Sequence, residues 1–376
     1  MSAIAIAFWL SIGLIVYTHL GYPLVLRLLL ALRRRPAEGP GNWDELPQVS
    51  LIVAAYDEEE VIEAKVANAL ALDYSRERLE LIVASDGSAD ATAERARAAG
   101  ADLVLELSRG GKIAAQNAAA EAASGEILAF SDANSVWQAD ALRCLVEPFT
   151  EDKVGYACGQ VRFLDAGGDN PEGAYWRYEM RVREMESALA GVTAGNGAIY
   201  AVRATAYVSL APSGSHDLSF PFRLAKRKLR SLYVPAARAE EKMVPTLEGE
   251  LARKRRMMVG IWDIVVGERM ISPRGYSPLY AFELASHRLL RYLTPFLHLI
   301  AFLTNLALLG QGWVYVVTYG LQLAVIAAAI LGGQFGLGPF RIARYYAMTT
   351  LSIAAGLWDR FRKGPPAAWE KAPGTR

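Results

Sequence analysis

Apolar residues are concentrated towards the two ends of the chain, and the middle alternates short apolar runs with amphipathic stretches. Ala3 to Leu32 is apolar apart from His19 and Arg27, and is long enough to cross a bilayer as one helix. Three later stretches, 289–309, 313–331 and 340–358, are also rich in apolar residues. The pattern predicts a membrane protein with a soluble middle.

The middle of the chain predicts repeated strand–helix units. Strands are predicted at 49–55, 79–85 and 103–107, with a fourth that ends at Asp132, and helices at 58–72, 89–99 and 113–123. Units of this length predict a parallel, doubly wound α/β sheet with right-handed crossovers. A further strand is predicted over 154–163, and further helices over 171–190, 218–229 and 247–266.

The segments of the chain can be assigned from these elements. We expect a transmembrane helix (1–35), a linker (36–47), a cytoplasmic α/β domain (48–244), amphipathic interfacial helices (245–288), a transmembrane hairpin (289–332) and a C-terminal segment (333–376). Arg33-Arg34-Arg35 predicts that the α/β domain is cytoplasmic, in a multi-pass protein of the cell (inner) membrane. The helix at 340–358 has basic residues on both flanks, so we expect it to lie along the membrane interface or to re-enter the membrane. The alternative is a third C-terminal span. A basic tail follows in either case.

Charge and cysteine content exclude some classes. The net charge of +1 argues against nucleic acid as a partner, since a strongly basic face would be expected. Cys144 and Cys158 have no metal-ligand spacing, which indicates buried thiols in a reducing compartment.

The fourth predicted strand ends at a polar run, Ser131-Asp132-Ala133-Asn134. Ligands of open α/β sheets bind beyond the carboxyl ends of the strands, so Asp132 is well placed to hold a metal against a bound phosphate. The alternative is that Asp132 caps the next helix. The motifs around it favour the first interpretation.

Four motifs occur in order, each near a predicted strand end: Ala54-Ala55-Tyr56-Asp57-Glu58, Ser85-Asp86-Gly87-Ser88, Gly111-Lys112 with Asn117, and Ser131-Asp132-Ala133-Asn134. Together they resemble the family 2 inverting glycosyltransferases of GT-A fold, and in particular the membrane-anchored branch that includes cellulose, chitin and hyaluronan synthases. The resemblance covers roughly residues 49–267. It implies a GT-A nucleotide-binding domain attached to transmembrane and interfacial helices.

The resemblance also implies a donor site for a UDP-sugar. Its residues would be Ala55, Tyr56, Asp57, Asp86, Lys112, Asp132, Ala133, Asn134, Arg253 and Arg256. Asp57 and Asp86 resemble the pair that contacts uracil and ribose, and carboxylates can accept hydrogen bonds from both groups. Lys112 would add positive charge beside the nucleotide, or would simply be a solvated lysine at a helix start.

Asp132 resembles the metal-holding acid of a DxD motif. Mg²⁺ or Mn²⁺ would be held by Asp132 and Asn134, with substrate phosphates completing the shell. Because Asn134 replaces the second acid of the motif, the metal site is one charge short and the identity of the metal is open.

The acceptor side is implied by two further motifs. Gly195-Asn196-Gly197 resembles the acceptor-side loop of the family, where glycine permits close approach to a ligand or simply makes a turn. Ser215-His216-Asp217 resembles its acidic motif, with Asp217 as the general base and His216 in place of the usual first acid. Asp217 could also be a helix N-cap.

Arg253-Lys254-Arg255-Arg256-Met257 resembles the QxxRW segment of the family, whose arginine holds the leaving diphosphate. Arg253 stands for Gln and Met257 for Trp, and the missing tryptophan puts processive polymerisation in doubt. On a helix, the apolar residues of this region would face lipid while Arg253 and Arg256 face the active site. The alternative is a basic juxtamembrane run.

The predicted function is the transfer of a sugar from a UDP-sugar to a growing polysaccharide, at a membrane surface. One alternative is single transfer to a lipid acceptor, such as polyprenyl phosphate or a ceramide-like lipid. The other is a non-catalytic membrane subunit, against which the joint presence of Asp57, Asp86, Asp132, Asp217 and Arg256 argues.

Overall fold

The computed structural model describes residues 2–33, 45–164, 171–212, 214–242, 247–332 and 338–364. Most of the predicted linker at 36–47 and the tail beyond Gly364 lie outside the described residues.

Within these ranges the α/β domain has one mixed sheet of eight strands, in the order β3-β2-β1-β4-β7-β6-β8-β5. The strands are β1 (Val49–Ala55), β2 (Leu79–Asp86), β3 (Leu103–Leu107), β4 (Ile127–Asp132), β5 (Val136–Trp137), β6 (Val154–Leu164), β7 (Ile199–Arg203) and β8 (Arg230–Lys242). Strands β1 to β4 are parallel, as predicted. Beyond β4 the sheet is mixed, because β7 is antiparallel to both β4 and β6 whereas β6 and β8 are parallel.

The helices of the domain are α3 (Ile62–Leu70), α4 (Thr92–Ala98), α5 (Lys112–Ala122), α6 (Ala141–Val146), α7 (Pro171–Leu189) and α8 (His216–Lys226). Strand β1 is buried along its whole length, with apolar clusters on both faces of the sheet. Helix α8 starts at His216, so Asp217 lies in its first turn and Ser215 holds the N-cap position. The alternative of Asp217 as N-cap is therefore wrong.

The N-terminal apolar stretch is a helix in two parts, α1 (Ala3–Val16) and α2 (Tyr22–Leu32), joined by a π-helical turn. The next long helix runs from Pro278 to Gln311 and contains α10 (Pro278–Glu283) and α11 (Leu290–Leu308). It starts before the predicted position because Ser277 caps it, accepting a hydrogen bond from Tyr280 N at 3.2 Å. Residues 278–288, predicted to be interfacial, thus belong to this helix.

Helix α12 (Trp313–Leu331) has its predicted bounds and buries none of its residues. In the described part of the chain, three helices are long and apolar enough to cross a membrane: Ala3–Leu32, Pro278–Gln311 and Trp313–Leu331. Helix α13 (Gly338–Lys363), which contains the predicted interfacial segment, is not among them.

Helix α9 (Leu247–Trp262) packs against α13. Arg255 donates to Asp359 at 2.8 Å, and Gly356 lets the two backbones approach closely. The apolar side chains Met258, Ile261 and Trp262 pack on a buried protein cluster. Part of the face predicted to lie in lipid is therefore packed against protein, in a cluster that includes residues of α13 and of the Pro278–Gln311 helix. The sequence also predicts an N-cap for α9 at Thr246, directly before the helix, and this residue is outside the described residues.

A buried carboxylate, Glu186 of α7, joins the domain to the apolar helices. Its Oε1 accepts a hydrogen bond from Tyr22 Oη at 2.7 Å and lies 2.6 Å from His287 Nδ1. Its Oε2 accepts from Thr193 Oγ1 at 3.0 Å and from Thr193 N at 3.3 Å. One side chain thus connects the N-terminal helix, the Pro278–Gln311 helix and the loop that leads to Gly195.

Candidate active site

Three predicted carboxylates lie at one edge of the sheet. In the parallel register, Ala55 is opposite Ser85 and Ala54 is opposite Asp132. Asp57, Asp86 and Asp132 therefore all lie at the carboxyl ends of neighbouring strands, which is where ligands bind in sheets of this kind.

Asp86 is almost fully buried and anchors the loop before α5. Its carboxylate accepts from Gly110 N at 2.7 Å and from Gly111 N at 2.9 Å, and it forms an ion pair with Arg109. Gly111 has a φ of 91°, which favours glycine. Asp86 thus fixes the start of α5, where Lys112 is the first residue.

Asp57 organises the loop after β2. Its backbone φ is 48°, and its Oδ1 accepts from Ala89 N at 2.8 Å. The guanidinium of Arg109 lies 3.4 Å from the centre of the Tyr56 ring, which is a cation–π contact. Arg109 therefore contacts both Tyr56, the neighbour of Asp57 in the chain, and Asp86.

Lys112 forms an ion pair with Asp132, so the predicted cation and the predicted metal-holding acid meet. Burial by itself would lower the pKa of Lys112, but the carboxylate of Asp132, with contributions from Asp217 and Glu241, raises it above its ordinary value. Lys112 is therefore charged. The site therefore carries a positive charge of its own, on Lys112, beside the carboxylate that is predicted to hold a metal.

The residues at the end of β4 fit a divalent metal that is held mainly by its substrate. Asp132 and Asn134 both offer oxygen ligands at a half-buried position. Among the described residues, no group of three or more His, Cys, Asp or Glu side chains could hold a metal. Mg²⁺ commonly uses one or two protein carboxylates together with substrate phosphates, so the sparse donor set is compatible with it.

Asp217 is half-buried at the start of α8 and accepts a hydrogen bond from Ser215 Oγ. Its backbone oxygen accepts from Gly195 N at 2.6 Å, which places the acceptor-side loop beside the predicted base. The neighbouring Ala194 and Leu218 belong to the same buried cluster as Tyr292 of the Pro278–Gln311 helix. The predicted base therefore lies next to an apolar helix of membrane-spanning length.

In the loop Gly195-Asn196-Gly197, the first two positions pack against the protein interior and the third has free space beside it. A Cβ at position 195 would lie 1.8 Å from Tyr156 Oη, so the glycine is needed for protein packing. Asn196 is buried and accepts from Arg183 Nη1 at 2.6 Å. At Gly197 a Cβ would meet nothing within 4 Å. Of the three, position 197 has the space for an acceptor.

His216, predicted on the acceptor side, is a core residue. It is 3% exposed, its Nδ1 lies 2.6 Å from Tyr200 Oη, and its ring packs edge-on against Phe130, Tyr207 and Phe220. Burial, and to a lesser extent Lys112, lowers the pKa of His216 to about 3, so the imidazole is neutral.

The basic run on α9 is divided between two roles. Lys254 bonds to Tyr345, and Arg255 pairs with Asp359, so both fasten α9 to α13. Arg256 and Met257 are exposed, and Met257 is 49% accessible. The side chain of Arg253 lies outside the described residues. Arg256 therefore stays a predicted ligand for the leaving diphosphate.

Sequence reasoning missed Lys65 and Arg109. The buried face of α3 is Ile62, Lys65, Val66 and Ala69. The helical spacing of apolar residues in the sequence instead predicts an apolar face of Val61, Ala64, Ala67 and Leu70. Lys65 is three residues after Ile62 and therefore lies on the same face of the helix. This spacing was the signal in the sequence that could have indicated its burial. Arg109 comes directly before the Gly110-Gly111-Lys112 run, and no spacing rule singles it out.

Comparison with known proteins agrees with this geometry. A family model described as "Glycosyltransferase like family 2" matches residues 47–260. The chain is 30% identical over 255 residues to beta-monoglucosyldiacylglycerol synthase of Trichormus variabilis, covering 60% of this chain and 53% of the relative. It is 34% identical over 126 residues to poly-beta-1,6-N-acetyl-D-glucosamine synthase of Staphylococcus aureus, covering 32% of this chain and 30% of the relative. The chain thus spans about half, or less, of the length of these relatives.

Among solved structures, the mannosyltransferase PcManGT from Pyrobaculum calidifontis, in complex with GDP-Man and Mn²⁺, superposes with a TM-score of 0.74. The superposition covers 95% of this chain and 99% of that one, at 22% sequence identity. The likeness confirms the fold, including the helices outside the sheet.

Proposed function

Because the chain belongs to the glycosyltransferase-like family 2 and is a glycosyltransferase of GT-A fold, we propose that it transfers one sugar from a UDP-sugar to a lipid acceptor at a membrane surface. The observation that carries the proposal is the position of Asp217, whose neighbours Ala194 and Leu218 pack in one cluster with Tyr292 of a span-length helix. An acceptor hydroxyl presented from the bilayer would reach this base directly.

The proposed reaction is a single displacement with inversion. Asp217 removes the proton from the acceptor hydroxyl as its oxygen attacks the anomeric carbon. The bond between that carbon and the diphosphate oxygen breaks, and UDP leaves with the electron pair. Lys112 and Arg256 would stabilise the charge that develops on the diphosphate. A divalent metal held at Asp132 and Asn134 would neutralise further phosphate charge when bound.

A lipid acceptor is preferred here over the polysaccharide favoured by sequence motifs. The described residues contain three span-length helices, and one of them, α12, buries none of its residues. These helices offer little protein surface to enclose a polymer. Met257, exposed where related synthases have tryptophan, points the same way. In a bilayer, we propose, the α/β domain lies on the cytoplasmic side.

Polymer synthesis is the second candidate, favoured by the match to the poly-N-acetylglucosamine synthase. The two are separated by supplying purified protein with a panel of nucleotide sugars and with diacylglycerol, polyprenyl phosphate or an oligosaccharide. Nucleotide release identifies the donor, and mass spectrometry counts the added sugars. One sugar per lipid, even with excess donor, is the expected result. A ladder of products on the oligosaccharide would replace the lipid proposal with polymerisation.

A further inference from the structure

A buried lysine lies behind the donor site, on the sheet-facing side of α3. Lys65 is only 3% exposed, and its Nζ donates to the backbone oxygen of Ser135 at 2.7 Å. The ammonium also lies 5.4 Å from the centre of the Trp137 ring. Burying an ammonium costs free energy unless it is paired and hydrogen-bonded, so its place in the core requires a compensating interaction.

The partner of Lys65 belongs to the turn that carries the predicted metal ligands. Ser135 N donates back to Asp132 O at 3.2 Å, which closes the turn from Asp132 to Ser135. The hydrogen bond from Lys65 therefore holds the end of this turn, directly after Asn134. Any movement of Ser135 would move Asp132 and Asn134 with it.

A second residue of α3, Asn68, also holds the backbone that follows Asp132. Asn68 exchanges two hydrogen bonds with the backbone of Trp137, at 2.8 Å and 2.9 Å. Lys65 and Asn68 are three residues apart and so lie on one face of the helix. Trp137 Nε1 in turn donates to Ala198 O at 3.1 Å, at the end of the acceptor-side loop. Helix α3 thus holds the donor turn and, through Trp137, the loop beside Asp217.

The charge of Lys65 also faces the site. Burial lowers the pKa of Lys65 to about 7, although the carboxylates of Asp132 and Glu241 counteract part of this effect. Lys112 interacts with the same two carboxylates. Asp132 therefore interacts electrostatically with two lysines from different helices, of which Lys112 forms an ion pair with it.

We propose that Lys65 is a positioning residue of the donor site: it fixes the Asp132–Ser135 turn through the Ser135 carbonyl, so that a nucleoside diphosphate and its metal bind to a preformed turn. The inference rests on the proposed function, in which this turn binds the donor diphosphate. Lys65 acts through the turn and does not itself contact the sugar.

The test is nucleotide affinity of the full-length protein in detergent, measured by calorimetry with UDP, and with GDP in parallel, with Mn²⁺ and then with EDTA. Lys65→Met keeps most of the length of the side chain but removes the donor and the charge. We expect it to weaken nucleotide binding with Mn²⁺ by about tenfold or more, which corresponds to the loss of one charge-assisted hydrogen bond. Lys153→Met, at an exposed lysine, is the matched control and should bind as the wild type does.

Lys65→Gln provides a variant that can still donate to Ser135, and it should recover part of the affinity and of the donor KM. If folded Lys65→Met binds the nucleotide and Mn²⁺ as tightly as the wild type does, with only a lower melting temperature, Lys65 is merely structural and the inference is wrong. Should the wild type bind neither nucleotide under any condition, the proposed function itself fails.

Discussion

Substitution of Glu186 by glutamine tests whether one buried carboxylate fastens the catalytic domain to the apolar helices. Burial by itself would raise the pKa of Glu186, but the adjacent His287, together with Arg288 and Tyr22, lowers it below its usual value, so the group is ionised. As a carboxylate it can receive all the hydrogen bonds that converge on it, from Tyr22, from Thr193 and on the His287 side.

A glutamine of the same shape cannot do this. Its amide nitrogen must point either towards Tyr22 and His287 or towards Thr193. In both orientations the NH₂ group meets a hydrogen-bond donor where the carboxylate offered an acceptor. A buried donor left without an acceptor costs about 1–3 kcal/mol, and two such groups are affected. We therefore expect the free energy of unfolding to fall by about 3 kcal/mol, within the range for breaking a buried charged pair.

The measurement is thermal unfolding of the purified protein in detergent at a fixed scan rate. A loss of about 3 kcal/mol corresponds to a fall in Tm of roughly 6–10 °C for a domain of this size. Glu184→Gln is the matched control, because Glu184 is exposed on the same helix and should change stability by less than about 0.5 kcal/mol. Equal Tm values for the two variants would show that Glu186 does not fasten the domain.

Further predictions concern the base, the metal, the buried histidine and the topology. Asp217→Asn should abolish transfer, by roughly 10²–10⁴-fold, while UDP affinity changes only a few-fold; near-normal turnover would place the base elsewhere. Asp132→Ala should weaken UDP-sugar binding only when Mg²⁺ or Mn²⁺ is present, and wild-type binding that ignores metal would contradict the metal assignment. His216 has a pKa of about 3 when folded, below its unfolded value, so the free energy of unfolding should fall as the pH decreases from 6.5 to 5, by about 2 kcal/mol; denaturation of His216→Asn should lack this part of the slope. Gly374→Cys in a cysteine-free background should resist an impermeant thiol reagent in intact cells, and labelling from outside would indicate a fourth span.

The parallel half of the sheet could be predicted because its strands are short apolar runs that stop at polar residues. The second half could not. Strand β8 carries Arg230, Pro235 and Arg238, which break the apolar pattern, although its pairing with β6 buries alternate residues. Pairing between distant strands is a tertiary effect that no local period reports.

In the candidate site, too, positions set by the local sequence pattern could be predicted, and positions set by distant contacts could not. The placement of Asp86 and Asp132 at one edge of the sheet could be predicted because each stands at the end of an apolar run, and parallel strands bring their ends together. The burial of His216 could not be predicted, because its neighbour Tyr200 comes from β7, a strand that the sequence pattern does not predict. Lys65 was overlooked because a lysine in a helix is normally solvated, and only its distant partner Ser135 explains its burial.

The contact between Gly195 and Tyr156 limits which substitutions the loop 195–197 can accept one at a time. With the Tyr156 hydroxyl 1.8 Å from the place of a Cβ, no side chain can be gained at position 195 until the tyrosine has been replaced by something smaller. The two positions are therefore expected to vary as a pair during evolution. A library that randomises position 195 alone would return mostly defective clones, whereas position 197 is open to single substitutions and is the place to begin.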